Sequence, residues 1–122
     1  MDEVILLLVE DDPLVMCLST DALEAGGFKV IQARDGCAAI TMSDDKASCI
    51  SGLITDVGLG HGLTGWEIAA HARERFPQMP VIYATGGNSS DWPVYGVPMS
   101  VLVEKPYAAR QLLTAITELL SA

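Results

Sequence analysis

The chain has 122 residues, half of them hydrophobic, with 16 acidic against 7 basic side chains and a net charge of −9. That length suits one domain with its own core, and that charge excludes nucleic-acid or anionic-membrane partners, because phosphate surfaces require clustered Lys and Arg. The three cysteines, Cys17, Cys37 and Cys49, match neither zinc-ligand spacing nor a disulfide framework, so they are expected to be reduced, small buried groups in a cytoplasmic protein.

The first element is "VILLLV", Val4–Val9. It is too short to span a bilayer and is flanked by acids, and its lack of polar alternation predicts a strand buried on both faces. Asp12-Pro13 reads as a cap and first turn of a helix that closes at Gly26-Gly27. "FKVIQA" is a second strand, "GCAAITMS" a short second helix, and the acidic "DDK" after it a solvated loop. "ISGLIT", Ile50–Thr55, is a third strand that ends at Asp56. From Trp66 to Phe76 the apolar residues Ile68, Ala69, Ala72 and Phe76 share a helical face. His61 and His71 have no ligand-spaced partner, and read as a loop residue and a surface helix residue. "PVIYAT" and "SVLV" are the fourth and fifth strands, and a last helix from about Ala109 carries Leu112, Leu113, Ile116, Leu119 and Leu120 on one face.

A fourth helix is expected between the last two strands, but Gly86–Ser100 holds two prolines and three glycines. Proline costs about 3 kcal/mol and glycine about 1 kcal/mol inside a helix, which leaves room for a turn or two. Trp92 and Tyr95 in this stretch either pack down in place of the helix or stand out as a partner's anchor.

Strands alternating with helices predict an α/β fold: a five-stranded parallel sheet with helices on both faces, reached by right-handed crossovers. The elements fill residues 1–122 as one domain, with no output domain expected. The glycines of "GLGHGLTG" spell Gly-x-Gly-x-x-Gly at Gly60, Gly62 and Gly65. A dinucleotide fingerprint belongs after the first strand, with an acid about 20 residues on; these follow the third, and no acid stands near residue 80. They read instead as a flexible loop leading from Asp56 to the next helix.

Open parallel sheets bind ligands beyond the carboxyl ends of their strands. Here those ends carry Glu10, Asp11 and Asp12; then Asp56; then Thr85; then Glu104 and Lys105. Neighbouring parallel strands lie about 4.8 Å apart, so such carboxylates repel one another and raise their pKa values. A hard cation such as Mg²⁺ relieves that, leaving Lys105 to hold a second anion, and Asp56 is the natural nucleophile for a phosphoryl group. Asp12 is better read as a helix cap, and Glu104 as pointing away, since strand neighbours alternate faces.

The segments "LLLVEDDP", "LITDV", "VIYATG" and "VEKPY", in this order and spacing, resemble the receiver domain of two-component response regulators over essentially the whole chain. The resemblance implies a flavodoxin-like fold of strand order 2-1-3-4-5. It implies Mg²⁺ held by Glu10, Asp11, Asp56 and the Gly58 carbonyl, Asp56 as phosphoacceptor, Thr85 as the hydroxyl that moves onto the phosphoryl group, and Lys105, before Pro106, as its cationic partner. The donor would be a histidine kinase or histidine phosphotransfer protein, and the chain a bacterial monomer or weak homodimer without nucleic-acid or membrane contacts.

Three departures qualify the match. Gly60 stands where the family often has proline, in a loop one residue longer; Leu102 replaces the aromatic residue common three positions before the lysine; and the fourth helix is degraded. Gly58 and Gly87, two residues beyond Asp56 and Thr85, would leave a phosphoryl group unshielded and short-lived. A phosphorylation-independent adaptor on the same fold, or a receiver module of a hybrid kinase, are the alternative readings.

Overall fold

The computed structural model describes residues 4–45, 50–59, 62–86, 92–105 and 108–121. The elements run β1 (Ile5–Val9), α1 (Pro13–Ala25), β2 (Lys29–Ala33), α2 (Gly36–Asp45), β3 (Ile50–Asp56), α3 (Gly65–Arg75), β4 (Val81–Thr85), α4 (Trp92–Tyr95), β5 (Val101–Glu104) and α5 (Ala109–Ser121). All paired strands are parallel, in the order β2-β1-β3-β4-β5. The order reverses at β1, whose chain continues to β2 on one side while β3 lies on the other. That reversal opens a crevice beyond the ends of β1 and β3.

The unbroken apolar run of β1 has a simple cause. Leu6 and Leu8 enter one core layer with Ile54, Ile82, Val103, Met16, Leu23, Leu112 and Ile116, between the sheet and helices α1 and α5. Leu7 and Val9 enter the other, with Leu53, Val81, Tyr83, Ile68, Ala69 and Ala72, beneath α3. Both faces of a central strand are covered, so neither set of alternate residues needs to be polar. Ile116 is wholly buried, and a Cβ on Gly52 of β3 would stand 3.2 Å from its Cδ1, so α5 sits hard against the sheet there. Ile116→Ala is expected to cost about 2–5 kcal/mol, read as a lower urea midpoint with an unchanged m-value.

The helix ends follow their sequence signals. The Asp12 carboxylate accepts from Leu14 N at 2.9 Å and Val15 N at 3.3 Å, with Pro13 in the first turn. Thr64 and Glu67 form a reciprocal capping box at the start of α3. As the glycines and prolines require, α4 is a single turn. Of its two aromatic residues, Trp92 packs against the core and donates Nε1–H to Ser100 Oγ at 2.9 Å, while Tyr95 stays exposed.

Several expectations are corrected. Helix α2 runs on through Asp44 and Asp45 instead of giving way to a loop. Asp44 is held there by α3, accepting from Arg75 Nη1 at 2.8 Å and lying 2.9 Å from His71 Nε2, and the His71 contact is the main reason its carboxyl titrates below the usual range. Cys17 and Cys37 are exposed, not buried: α1 buries Met16, Ser19 and Leu23, and one residue beyond Met16 the helix turns to solvent. Lys46, Cys49, Gly60, His61, Gly87 and Pro106 lie outside the described residues.

Candidate functional site

Three strand ends deliver the acidic centre. Glu10 follows β1, Asp56 ends β3, and Lys105 follows β5. Lys105 Nζ lies 2.9 Å from Glu10 Oε1 and 2.9 Å from Asp56 Oδ2, joining groups 95 and 49 residues apart in sequence. The second oxygens are also engaged: Glu10 Oε2 accepts from Asp12 N at 3.1 Å, and Asp56 Oδ1 from Gly58 N at 3.3 Å. Glu10 and Asp56 are buried, with 3% and 6% of their surface exposed, whereas Asp11 is open to solvent.

Burial raises Glu10 to about 7, against the lowering effect of Lys105; the nearby charge of Asp56 adds a smaller upward push. The mutual repulsion anticipated from the sequence therefore exists, but desolvation outweighs it. Lys105 titrates above its ordinary value despite its own burial, because hydrogen bonds to Asp56 and Glu10 favour its charged form.

Carboxylate oxygens of Glu10, Asp11 and Asp56 all lie within 4.8 Å of one another. Oxygens around an octahedral Mg²⁺ are about 3 to 4 Å apart, as its ligand distance of about 2.1 Å dictates. Three hard oxygen donors already near that spacing, one on the solvent side, fit such an ion. The Gly58 backbone amide faces Asp56, and Gly58 is exposed.

Thr85 ends β4, and its neighbour Ala84 is the register partner of Asp56. It is buried, and its carbonyl accepts from Lys105 N at 2.7 Å, which ties the lysine's backbone to the same strand end. Glu104 is exposed, as strand alternation requires, and Asp12 is occupied as a cap. Among the described residues, a Cβ on Gly86 would meet only Lys105 Cβ, at 3.9 Å.

Gly65 has a role that the sequence reading missed. It is the first residue of α3 and is buried, and its N–H donates to Val57 O at 2.9 Å. A Cβ there would overlap the Asp56 carbonyl oxygen and approach Val57 Cα to 2.9 Å. It is thus a packing glycine under the acceptor's backbone and not part of a flexible loop. The signal available was its place directly after a capping Thr64. Gly65→Ala is expected to cost about 1–3 kcal/mol, as overpacking does, and to displace the Asp56 backbone, seen as a changed Gly58 amide resonance.

A five-stranded parallel sheet of this order, with acids and a lysine gathered at its switch point, defines a flavodoxin-like protein of the receiver class. The chain belongs to that family: residues 6–117 match the response regulator receiver domain. It is 29% identical over 112 residues to the response regulator protein FleR of Pseudomonas aeruginosa, covering 90% of this chain and 23% of that protein. The chain spans between 23% and 35% of the length of the curated relatives it matches. Among solved structures it resembles a response regulator receiver protein from Sinorhizobium medicae, at 36% identity and a TM-score of 0.94 over 98% of this chain and 96% of that one. It also resembles the receiver domain of the hybrid histidine kinase CckA, at 26% identity and a TM-score of 0.79 over 95% and 98% of the two chains. The chain is therefore a receiver domain of two-component signalling, a family whose members interact with histidine kinases or phosphotransfer proteins. Among the described residues no helix is long and apolar enough to cross a membrane.

Proposed function

We propose that this chain is a phosphoacceptor switch: Asp56 takes a phosphoryl group from a phosphohistidine, and the resulting charge change alters how the chain engages a downstream protein or passes the group on. The observation that carries this reading is Lys105 Nζ poised 2.9 Å from both Glu10 and Asp56. Lys105 can release one carboxylate toward an incoming anion and keep the other as its charged partner.

An Asp56 carboxylate oxygen attacks phosphorus in line, the new P–O bond forming as the P–N bond to the donor imidazole breaks, and the imidazole nitrogen leaves with that electron pair and takes up a proton. Catalysis here is positioning and electrostatics. Gly58 N–H and Lys105 orient the Asp56 carboxylate before reaction. Lys105 then turns toward the phosphoryl oxygens, and the Thr85 hydroxyl donates to another. Mg²⁺, when bound, would be held by Glu10, Asp11, Asp56 and the Gly58 carbonyl, and would neutralise charge on the group in transfer. The acyl phosphate carries about two negative charges where the carboxylate carried one, and the chain must accommodate the added charge and phosphoryl oxygens at a site already lined with acids. That accommodation is the switch. A bacterial two-component pathway in the cytoplasm goes with this reading, with a histidine kinase or phosphotransfer protein as donor and a monomer or weak homodimer as the working form.

The test is intact mass after incubation with Mg²⁺ and acetyl phosphate, with and without EDTA. One added phosphoryl group, lost with EDTA, is the expected result. If neither acetyl phosphate nor beryllofluoride engages the chain, the phosphoacceptor reading fails.

A further inference from the structure

We propose that Tyr83 is a positioning residue that ties the acceptor end of β4 to the segment around α4, so that events at Asp56 and Thr85 reset the surface carrying Val94, Tyr95 and Met99. The proposal rests on the phosphoacceptor reading. Tyr83 and Thr85 stand two residues apart on β4, so their side chains leave the same face of the sheet. Tyr83 is fully buried, its ring centroid 4.5 Å from that of Trp66 at an interplanar angle of 58°. Its hydroxyl accepts the backbone N–H of Val97 at 3.0 Å. A ring wedged in this way cannot absorb a strand displacement by changing rotamer, because close-packed interiors leave it no second position. Movement of β4 therefore arrives at the hydroxyl.

Val97 is well placed to receive it. Its carbonyl accepts from Ser100 Oγ at 2.7 Å, and Ser100 Oγ accepts from Trp92 Nε1 at 2.9 Å, so Val97 and Trp92 form one small hydrogen-bonded unit. The far end of the segment is fastened to a different element. Arg73 of α3 donates to the carbonyls of Pro98 and Met99, and to Met79 O at 2.8 Å. Tyr83 holds the middle of the segment to β4 while Arg73 holds its end to α3. A shift of β4 against α3 then pulls Val97 against Pro98 and Met99 and, through Ser100, on Trp92 of the turn that carries Val94 and Tyr95. Val94, Tyr95 and Met99 are 73%, 60% and 87% exposed. Leu102, across from Tyr83 in the β4–β5 register, has no polar atom with which to make such a tie.

The experiment uses the ¹⁵N-labelled chain with Mg²⁺ and beryllofluoride, following two backbone amides. Gly58, bonded to Asp56, reports the site; Val97 reports the tie. In the wild type both resonances are expected to move. In Tyr83→Phe, which keeps the ring against Trp66, Gly58 should still move while the Val97 response is lost. The Val97 amide should also exchange with solvent about two- to tenfold faster in that variant, the loss expected for one hydrogen bond. A wild type in which Gly58 moves and Val97 does not overturns the proposal and leaves the phosphoacceptor reading standing, even if the variant fails to fold. An unchanged Val97 response in Tyr83→Phe also overturns it. If neither amide moves in the wild type, the phosphoacceptor reading falls and takes the tie with it.

Discussion

Asp56→Asn is expected to abolish phosphoryl uptake, leaving no mass gain from acetyl phosphate under conditions where the wild type gains one group. An amide oxygen is far less nucleophilic than a carboxylate oxygen and forms no stable phosphoryl adduct, so the effect is all or none. The fold should survive the change. The amide oxygen can still accept from Gly58 N or Lys105 Nζ, and Lys105 retains Glu10 as its charged partner. We expect the stability of the variant to stay within about 1 kcal/mol of the wild type, the scale of a single hydrogen bond. A variant that folds and still gains a phosphoryl group would locate the acceptor elsewhere.

Lys105→Met is the second substitution with a large expected effect, this time on stability. It leaves Glu10 and Asp56 facing each other, both buried, without the cation between them. Breaking a buried ion pair from one side costs about 3–5 kcal/mol, and here the cost should depend on pH. Glu10 has its pKa raised from 4.5 to about 7 in the folded chain. Between those values the native state binds more protons than the unfolded state, so Glu10 contributes stability below pH 4.5 that is lost as the pH rises through about 7. Removing Lys105 deletes the interactions that hold this pKa down, so the variant should lose more stability than the wild type as Glu10 ionises. Urea denaturation should show a deficit of about 1 kcal/mol at pH 5.5, growing toward about 3–5 kcal/mol at pH 8. Added Mg²⁺ should narrow the deficit at pH 8. A deficit independent of pH would mean that Lys105 acts through packing of its aliphatic stem rather than its charge.

The departures from the family pattern carry different weights. The loss of the fourth helix was written in Pro93, Gly96 and Pro98, and the structure has one turn there. The replacement of an aromatic residue at Leu102 was equally visible, but its consequence was not. Tyr83, directly opposite in register, brings a ring and a hydroxyl to the same layer of the core. Nothing local in "VIYAT" distinguishes a tyrosine that merely fills space from one whose hydroxyl reaches a loop 14 residues away.

What the sequence determined by itself is the order and type of the elements, the strand ends at which charge collects, and the caps of the first helix. These depend on local rules: apolar runs without alternation mark strands covered on both faces, Asp-Pro opens a helix, and glycines and prolines forbid one. The tertiary structure alone decided how the gathered groups are balanced. Glu10 is raised to about 7 because burial removes it from water, and Lys105 is shared between two acids because the ends of β1, β3 and β5 converge. Gly65 proved rigid because α3 starts against the Asp56 carbonyl, and Asp44 stayed helical with partners from α3 beside it. Desolvation, overlap and ion pairing are set by distances through space between residues far apart in the chain, and no local pattern of residues encodes those distances.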